Sequence, residues 1–256
     1  MTQSMSDYLA SPAISTSDLI AVMRSPAHYH ARVAREATEA TILGTAAHMA
    51  ILEPTSYRTT YVVAPAMDRR TKEYKEWKAG EVRDGQAILS QQDAWLVDGM
   101  AASVRAHPGA LDIIGQGRVE NTLLWNDQET YLGCRARPDI LIEHRRILAD
   151  VKTAADGNYR PFQRAIHSFG YHIQAAHALA GAATYVPGDW DTWIWIVVEK
   201  EPPFAVALYQ ADDLMLSAAR GERRRALELI AACTKAGEFP GYPQEIQSIG
   251  LPPWAE

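Results

Sequence analysis

Residues 137–153 read Arg137-Pro138-Asp139-Ile140-Leu141-Ile142, a polar turn Glu143-His144-Arg145-Arg146, and Ile147-Leu148-Ala149-Asp150-Val151-Lys152-Thr153. Two short apolar runs on either side of a charged turn form a β-hairpin pattern. With the turn centred on His144 and Arg145, an antiparallel register sets Asp139 directly opposite Asp150. Cross-strand neighbours stand about 5 Å apart at Cβ, where like charges destabilise unless a cation lies between them. A divalent metal with carboxylate oxygens at about 2.1 Å removes that penalty. Strand alternation puts Lys152 on the face of Asp150, so an ammonium stands beside a metal-ligating carboxylate and can hold or polarise an attacking water. Hard oxygen ligands suit magnesium or manganese better than zinc, and such ions polarise a phosphoryl oxygen and acidify bound water. The chemistry indicated is metal-assisted phosphodiester hydrolysis. An exposed strand edge with alternating charges also produces a D-x-K triplet. The matched Asp139, and the run Ile147-Leu148-Ala149 that draws Asp150 toward a core strand, favour the metal, because a buried carboxylate needs a partner.

Outward from the hairpin, the period stays at two. Residues 119–125 (VENTLLW), 130–142 (TYLGCRARPDILI) and 146–153 (RILADVKT) predict a three-strand antiparallel meander. Two more strands, 191–200 and 203–210, flank the Glu201-Pro202-Pro203 turn. Helical patterns occupy the remainder. Ser15-Thr16-Ser17-Asp18 caps a helix carrying Leu19, Ile20, Val22 and Met23, which Pro26 restarts or kinks. The Ala-rich run from Gly44 to Glu53, with His48 in its middle, continues until Pro54. Residues 92–107 place Trp95, Leu96, Met100 and Val104 on one face and stop before Pro108; residues 159–185 and the charged 213–237 are also helical in pattern. The tail 238–256 is rich in Pro and Gly and predicts an irregular surface wrap. No internal repeat or flexible linker interrupts the chain, so one domain over 1–256 is the simplest organisation.

Composition narrows the partners. The 256 residues are 47% hydrophobic and 22% charged, with Lys+Arg 25 against Asp+Glu 31, for a net charge of -6. Such a chain buries a sizeable core and is not a basic nucleic-acid-coating protein. No apolar run approaches the roughly 18 residues of a membrane span. Cys134 and Cys233 are too few for a disulfide framework, a zinc ribbon or an iron–sulfur cluster, and read as buried small residues in a reducing compartment. The first residues, MTQSMSDYLASPAIS, lack the pattern of a signal peptide, which points to the cytoplasm.

The segments RPDIL and ILADVKT resemble the core of PD-(D/E)xK nucleases, in which a hairpin carries two acids and a lysine. Further blocks resemble the RecE-like exonucleases related to exodeoxyribonuclease VIII: IS-x-SDL with SPAHYHAR, LGTAAHMAILEP, DRRTKEYKEW, VENTLLW, YHIQAAHAL and the closing GYPQEIQSIGLPPWA. The resemblance, spread over nearly the whole chain, implies a single exonuclease domain over 1–256. Its fold would be α/β and restriction-endonuclease-like, a central mixed β-sheet flanked by helices. Its activity would be magnesium-dependent 5′-to-3′ digestion of double-stranded DNA ends.

Carried over residue by residue, the family's G-x-x-x-H falls on Gly44 to His48 and makes His48 a metal ligand. Asp139 and Asp150 match the metal carboxylates, the Val151 carbonyl the main-chain ligand, and Lys152 the catalytic lysine. Glu120 matches an acidic position that would place water or a second ion. Gln174 matches the glutamine of the helix after the hairpin, with Tyr171 and Ala178 on its face. The resemblance implies two Mg²⁺ ions, replaceable by Mn²⁺. Arg69, Arg70, Arg137, Arg160, Arg164 and Tyr171 are the candidate DNA contacts, guanidinium groups being suited to phosphate. Also implied are a ring-shaped trimer or tetramer, a RecT-like single-strand annealing partner, no membrane, and a bacterial host cell with a phage or prophage origin.

Blander readings compete at single residues: a satisfied core His48, a solvated Glu120, a surface Gln174, solvated charges at Arg69, Arg70 and Arg223-Arg224-Arg225, and a core Trp77. Other functions share the same core, namely an endonuclease, a single-strand nuclease, or a catalytically idle module that binds DNA ends.

Overall fold

Short polar side chains and prolines fix where the helices begin. In the computed structural model, which describes residues 5–32 and 39–251, α1 (Met5–Ala10) precedes α2 (Thr16–Arg24). The Asp18 carboxylate reaches back to the Ser15 N–H at 2.8 Å and hydroxyl at 2.6 Å, closing the first turn. Pro26 opens α3 (Pro26–His30), a first-turn position that needs no N–H donor. Pro54 likewise separates α4 (Glu39–Leu52) from α5 (Pro54–Thr60). After β1 (Tyr61–Val63), Thr71 caps α6 (Lys72–Glu81). Then come β2 (Ala87–Leu89), α7 (Gln91–Ala106) capped by Ser90, and α8 (Pro108–Gln116) opened by Pro108. The parallel pairing of β1 with β2 had no periodic signal in the sequence.

The strands that follow build the framework of the site. They are β3 (Arg118–Val119), β4 (Leu123–Asn126), β5 (Gly133–Ala136), β6 (Ile140–Ile142) and β7 (Ile147–Ala154). Next come α9 (Tyr159–Phe169), α10 (Tyr171–Tyr185), β8 (Thr192–Glu199), β9 (Val206–Gln210) and α11 (Asp213–Ala236). The main sheet has the order β3-β6-β7-β8-β9; β6–β7 and β8–β9 are antiparallel and β7–β8 is parallel, with α9 and α10 as the crossover. The sheet is therefore mixed, as expected. Leu148 on β7 faces a core with Trp193 and Trp195, shared with α2, α10 and α11. Ile147, Ala149 and Val151 face the opposite core, shared with α4, α7 and α8. Helices thus cover both faces.

The expected meander is corrected in its middle. Pro138 has no N–H for a ladder, and the segment 130–142 divides there: β5 pairs with β4 in a separate two-stranded sheet, while β6 pairs with β7 and β3. The first segment breaks as well, because Glu120 adopts a left-handed φ of 55° between β3 and β4. The register of the hairpin agrees with the expectation: Ile140 faces Ala149, Leu141 faces Leu148 and Ile142 faces Ile147.

On α7 the buried face is Ala94, Val97, Met100, Ala101 and Val104, while Trp95 is half exposed and meets Phe204 edge-on. Arg223 is buried, and Arg223 and Arg224 both pair with Asp127, at 3.0 Å and 2.8 Å; only Arg225 of that run is exposed. Arg223 Nε also donates to His177 Nδ1 at 3.3 Å. The close approach of α10 to β4 needs Gly181, where a Cβ would lie 2.6 Å from the Trp125 ring. Cys134 and Cys233 are buried, and among the described residues no helix is long and apolar enough to cross a membrane. Residues 238–251 are irregular, with Phe239 stacked on His30 and Tyr242 against His28; the last five residues of the tail, like the first four of the chain, lie outside the described residues.

Candidate active site

The break at Pro138 opens the sheet where the acids stand. With β6 starting only at Ile140, the Val151 N–H on the neighbouring strand bonds instead to the Asp139 carboxylate, Oδ2, at 2.7 Å. Asp139 and Asp150 are both buried. The small residues Ala46, Ala47 and Ala50 pack α4 into the core beneath, and the same helix presents His48. His48 Nε2 lies 2.7 Å from Asp139 Oδ2, and Nδ1 lies 3.3 Å from Glu120 Oε1. Glu120 is buried too, its N–H bonded to the Asp139 carbonyl at 2.9 Å and its Oε2 to Arg137 Nε at 2.6 Å. Arg137 also donates to Thr122 Oγ1 at 3.0 Å and lies 6.0 Å from the Tyr8 ring centroid.

The second half of the site comes from the start of α10. Gly170, at φ 69°, terminates α9 in the left-handed conformation and turns the chain so that α10 begins at Tyr171. Gln174 donates from Nε2 to Asp150 Oδ1 at 2.8 Å and accepts from Lys152 Nζ at 3.0 Å. Lys152 Nζ also stands 2.5 Å from Asp150 Oδ2 as an ion pair and 4.5 Å from the Tyr171 ring centroid.

These contacts set the charge states. Burial works against an imidazolium at His48, but the charge and hydrogen bond of Asp139, with Glu120 and Asp150 behind, hold it up at about 9. Burial opposes ionisation of Asp139, yet His48 and then Lys152 keep its carboxyl below the usual carboxylate range. Asp150 goes the other way: burial and the charge of Asp139 push it up, against the pull of Lys152. Desolvation works against the charge of the half-buried Lys152, but the carboxylates of Asp150 and Asp139 hold its ammonium above the ordinary lysine value.

The donor set fits a divalent cation. His48, Glu120 and Asp139 each present a ligand atom, all within 4.8 Å of one another. Apart from its ion pair with Lys152, the buried Asp150 Oδ2 has no hydrogen-bond donor. Two acids and an imidazole form a cation-seeking cluster with mostly hard ligands. The cluster lies in an open cleft of about 540 Å³ whose walls include Tyr8, His48, Glu120, Arg137, Asp139 and Lys152. A hollow of similar size, about 560 Å³, is lined chiefly by apolar residues such as Leu123, Leu141 and Trp190, and brings no carboxylate or imidazole to its walls.

The structure therefore gathers His48, Glu120, Arg137, Asp139, Asp150, Val151, Lys152, Tyr171 and Gln174 in one place. Arg69 and Arg70, in the exposed turn before α6, and Arg160 and Arg164, on the exposed side of α9, do not line the cleft. Trp77 is half-buried on α6 against Tyr74. Tyr8 and Thr122 join the site without any marker in the sequence. Their contacts to Arg137 depend on long-range packing, which no local pattern encodes.

No curated protein matches the chain. A Eubacterium rectale protein described as a "Putative exonuclease" superposes with a TM-score of 0.60 at 11% identity, covering 96% of this chain and 97% of the other, which is a likeness of fold. A phage related exonuclease from Haemophilus somnus 129PT aligns with a TM-score of 0.37 at 11% identity, over 88% of this chain and 96% of the other. Residues 15–252 match the model of the PDDEXK-like domain of unknown function DUF3799. With nearly its whole length matched, and with Asp139 just before β6 and Asp150 and Lys152 on β7, the chain belongs to that PDDEXK-like family and carries a nuclease-like α/β domain.

Proposed function

We propose that the chain is a metal-dependent deoxyribonuclease, a processive 5′-to-3′ exonuclease that acts on double-stranded DNA ends and leaves 3′ single-stranded tails for recombination by strand annealing. The observation that carries the reading is the Asp139/Asp150 hairpin with Lys152, facing a cleft that also holds His48 and Glu120. His48, Glu120 and Asp139 would hold a magnesium ion, with manganese as a substitute; Asp150 and the Val151 carbonyl would complete a two-ion site. Such ions, when bound, polarise a phosphoryl oxygen and acidify water.

The chain's own residues position the reactants. Lys152, fixed by Asp150 and Gln174, directs its ammonium at the attacking water. The Val151 N–H locks Asp139, so the charged hairpin keeps its spacing as the site fills. The water oxygen bonds to phosphorus as the bond to the 3′ oxygen breaks in line, leaving a 5′-phosphomonoester and a 3′-hydroxyl. Arg69, Arg70, Arg160 and Arg164 would meet backbone phosphates outside the cleft. A chain of net charge -6 gains little from general counterion release, so binding would be local and end-directed. A ring-shaped trimer or tetramer would supply processivity, and a RecT-like annealing protein would receive the tails, all in the cytoplasm of a bacterial host for a phage or prophage product.

Linear duplex labelled at the 5′ or the 3′ end, set against closed-circular duplex, tests this. With Mg²⁺, 5′-labelled mononucleotides should appear first from linear DNA while the circle stays intact. Cleavage of the circle at a comparable rate, or first release of the 3′ label, would contradict the assigned end dependence or polarity.

A further inference from the structure

Lysine ammonium groups have three N–H donors and no acceptor. At Lys152, two directions are taken by Asp150 Oδ2 at 2.5 Å and Gln174 Oε1 at 3.0 Å. The ring of Tyr171 flanks the ammonium, with Nζ 4.5 Å from its centroid, within the range in which a cation is drawn to an aromatic face. The ring is itself braced: Phe169 lies 5.5 Å away and Phe162 6.3 Å away, both tilted against it. Tyr171 and Gln174 are three residues apart on α10, so one helical turn delivers both the ring and the amide. Side chains of Lys152 and Asp150 are 18% and 2% exposed, so water does little to fix the ammonium.

We propose that Tyr171 is a positioning residue whose ring face, rather than its hydroxyl, fixes the Lys152 ammonium beside Asp150. This differs from the DNA contact expected for Tyr171 from the sequence. It rests on the nuclease reading for its effect on rate, and on geometry alone for the contact. A flat, braced π-face restrains Nζ sideways without neutralising it, so the ammonium stays charged and aimed into the cleft.

The test uses the full chain as wild type, Tyr171→Leu and Tyr171→Phe, with steady-state hydrolysis of linear duplex in Mg²⁺ and NMR of lysine Cε–H groups. Lys152→Gln assigns the Lys152 resonance, and thermal melting confirms that each variant is folded. Tyr171→Leu is expected to lower kcat about tenfold with KM changed by less than about twofold, and Tyr171→Phe to restore most of that loss. The Lys152 Cε protons should be shifted upfield by the ring in wild type and Tyr171→Phe, and lose that shift in Tyr171→Leu. If Phe is as damaging as Leu, or if Leu raises KM alone, the hydroxyl or a DNA contact is responsible and the proposal is wrong. An absent ring shift in wild type overturns it as well. Should wild type hydrolyse no DNA while the ring shift persists, the nuclease reading fails and the Tyr171–Lys152 contact stands.

Discussion

Lys152→Ala is expected to reduce single-turnover hydrolysis of linear duplex by about 10²- to 10⁴-fold, the range for loss of a positioned proton-handling or charge-stabilising group. Arg137, also on the wall of the cleft, is bonded to Glu120 and Thr122. The substitution also removes the ion pair from Asp150, whose buried carboxyl already titrates above the usual carboxylate range. Lys152→Gln separates the two effects, since an amide can still bond to Gln174 but brings no charge. Both variants should lose activity, while Lys152→Gln keeps more of the wild-type unfolding free energy. Rates within about tenfold of wild type for the folded Lys152→Ala protein would remove Lys152 from the chemistry.

The largest stability loss is expected far from the cleft. Asp127→Ala should destabilise the fold by about 3–5 kcal/mol, the usual consequence of stranding a buried charge. Asp127 is the shared partner of Arg223 and Arg224, with Nη2 of Arg223 at 3.0 Å and a two-pronged contact from Arg224 at 2.8 and 3.1 Å. Burial works against that carboxylate, but Arg224, Thr130 and Arg223 hold it well below its ordinary range. Behind Arg223 sits the fully buried His177, with Nδ1 accepting from Arg223 and Nε2 facing the Ile14 carbonyl at 3.2 Å. The Trp125 ring and the backbone at Arg135 enclose the rest of the imidazole. Burial first, then the Arg223 charge, push His177 down to about 3.

Acid therefore works against this network. Unfolded histidine takes a proton near pH 6.5, whereas the folded His177 resists until about 3. The unfolded chain binds more protons across that window, so stability falls as pH falls. Asp127, depressed in the folded state, adds loss in the same direction below the ordinary aspartate range. Urea unfolding of His177→Gln should give a flatter acid limb than wild type between about pH 6.5 and 3. An acid limb as steep as the wild-type one would assign the dependence to other groups. An Asp127→Ala midpoint close to that of wild type would show that the arginines find water instead.

The sequence made the hairpin legible because alternation and turn position are local properties. Asp150 and Lys152 share one side of β7, and Asp139 stands just before β6, in a hairpin with the register that the His144-Arg145 turn implies. His48, Val151 and Gln174 enter only through the family resemblance; in the structure His48 meets Asp139, the Val151 N–H bonds to Asp139, and Gln174 donates to Asp150. What escaped was set by breaks and by distance. A period of two over 119–125 cannot reveal that Glu120 leaves the strand at a positive φ and turns its carboxylate toward His48 and Arg137. Pro138 was visible, but that it splits the middle strand between two sheets was not. The Arg223-Arg224-Arg225 run looks solvated along α11 because its partner, Asp127, lies almost a hundred residues earlier in a loop. Trp95 misled for another reason: apolar spacing marks a helix face, but at that position Ala94 and Val97 point inward instead.

Isothermal titration of Mn²⁺ into the full chain, with hydrolysis of linear duplex followed in the same solutions, joins the acidic cluster to the chemistry. Wild type should bind Mn²⁺ saturably, Asp139→Asn should bind it at least tenfold more weakly, as loss of a ligand held by His48 and Val151 implies, and the hydrolysis rate should rise with occupancy and vanish with chelator. Hydrolysis that persists in chelator, or Mn²⁺ affinity unchanged in Asp139→Asn, would contradict a metal-dependent nuclease centred on this hairpin.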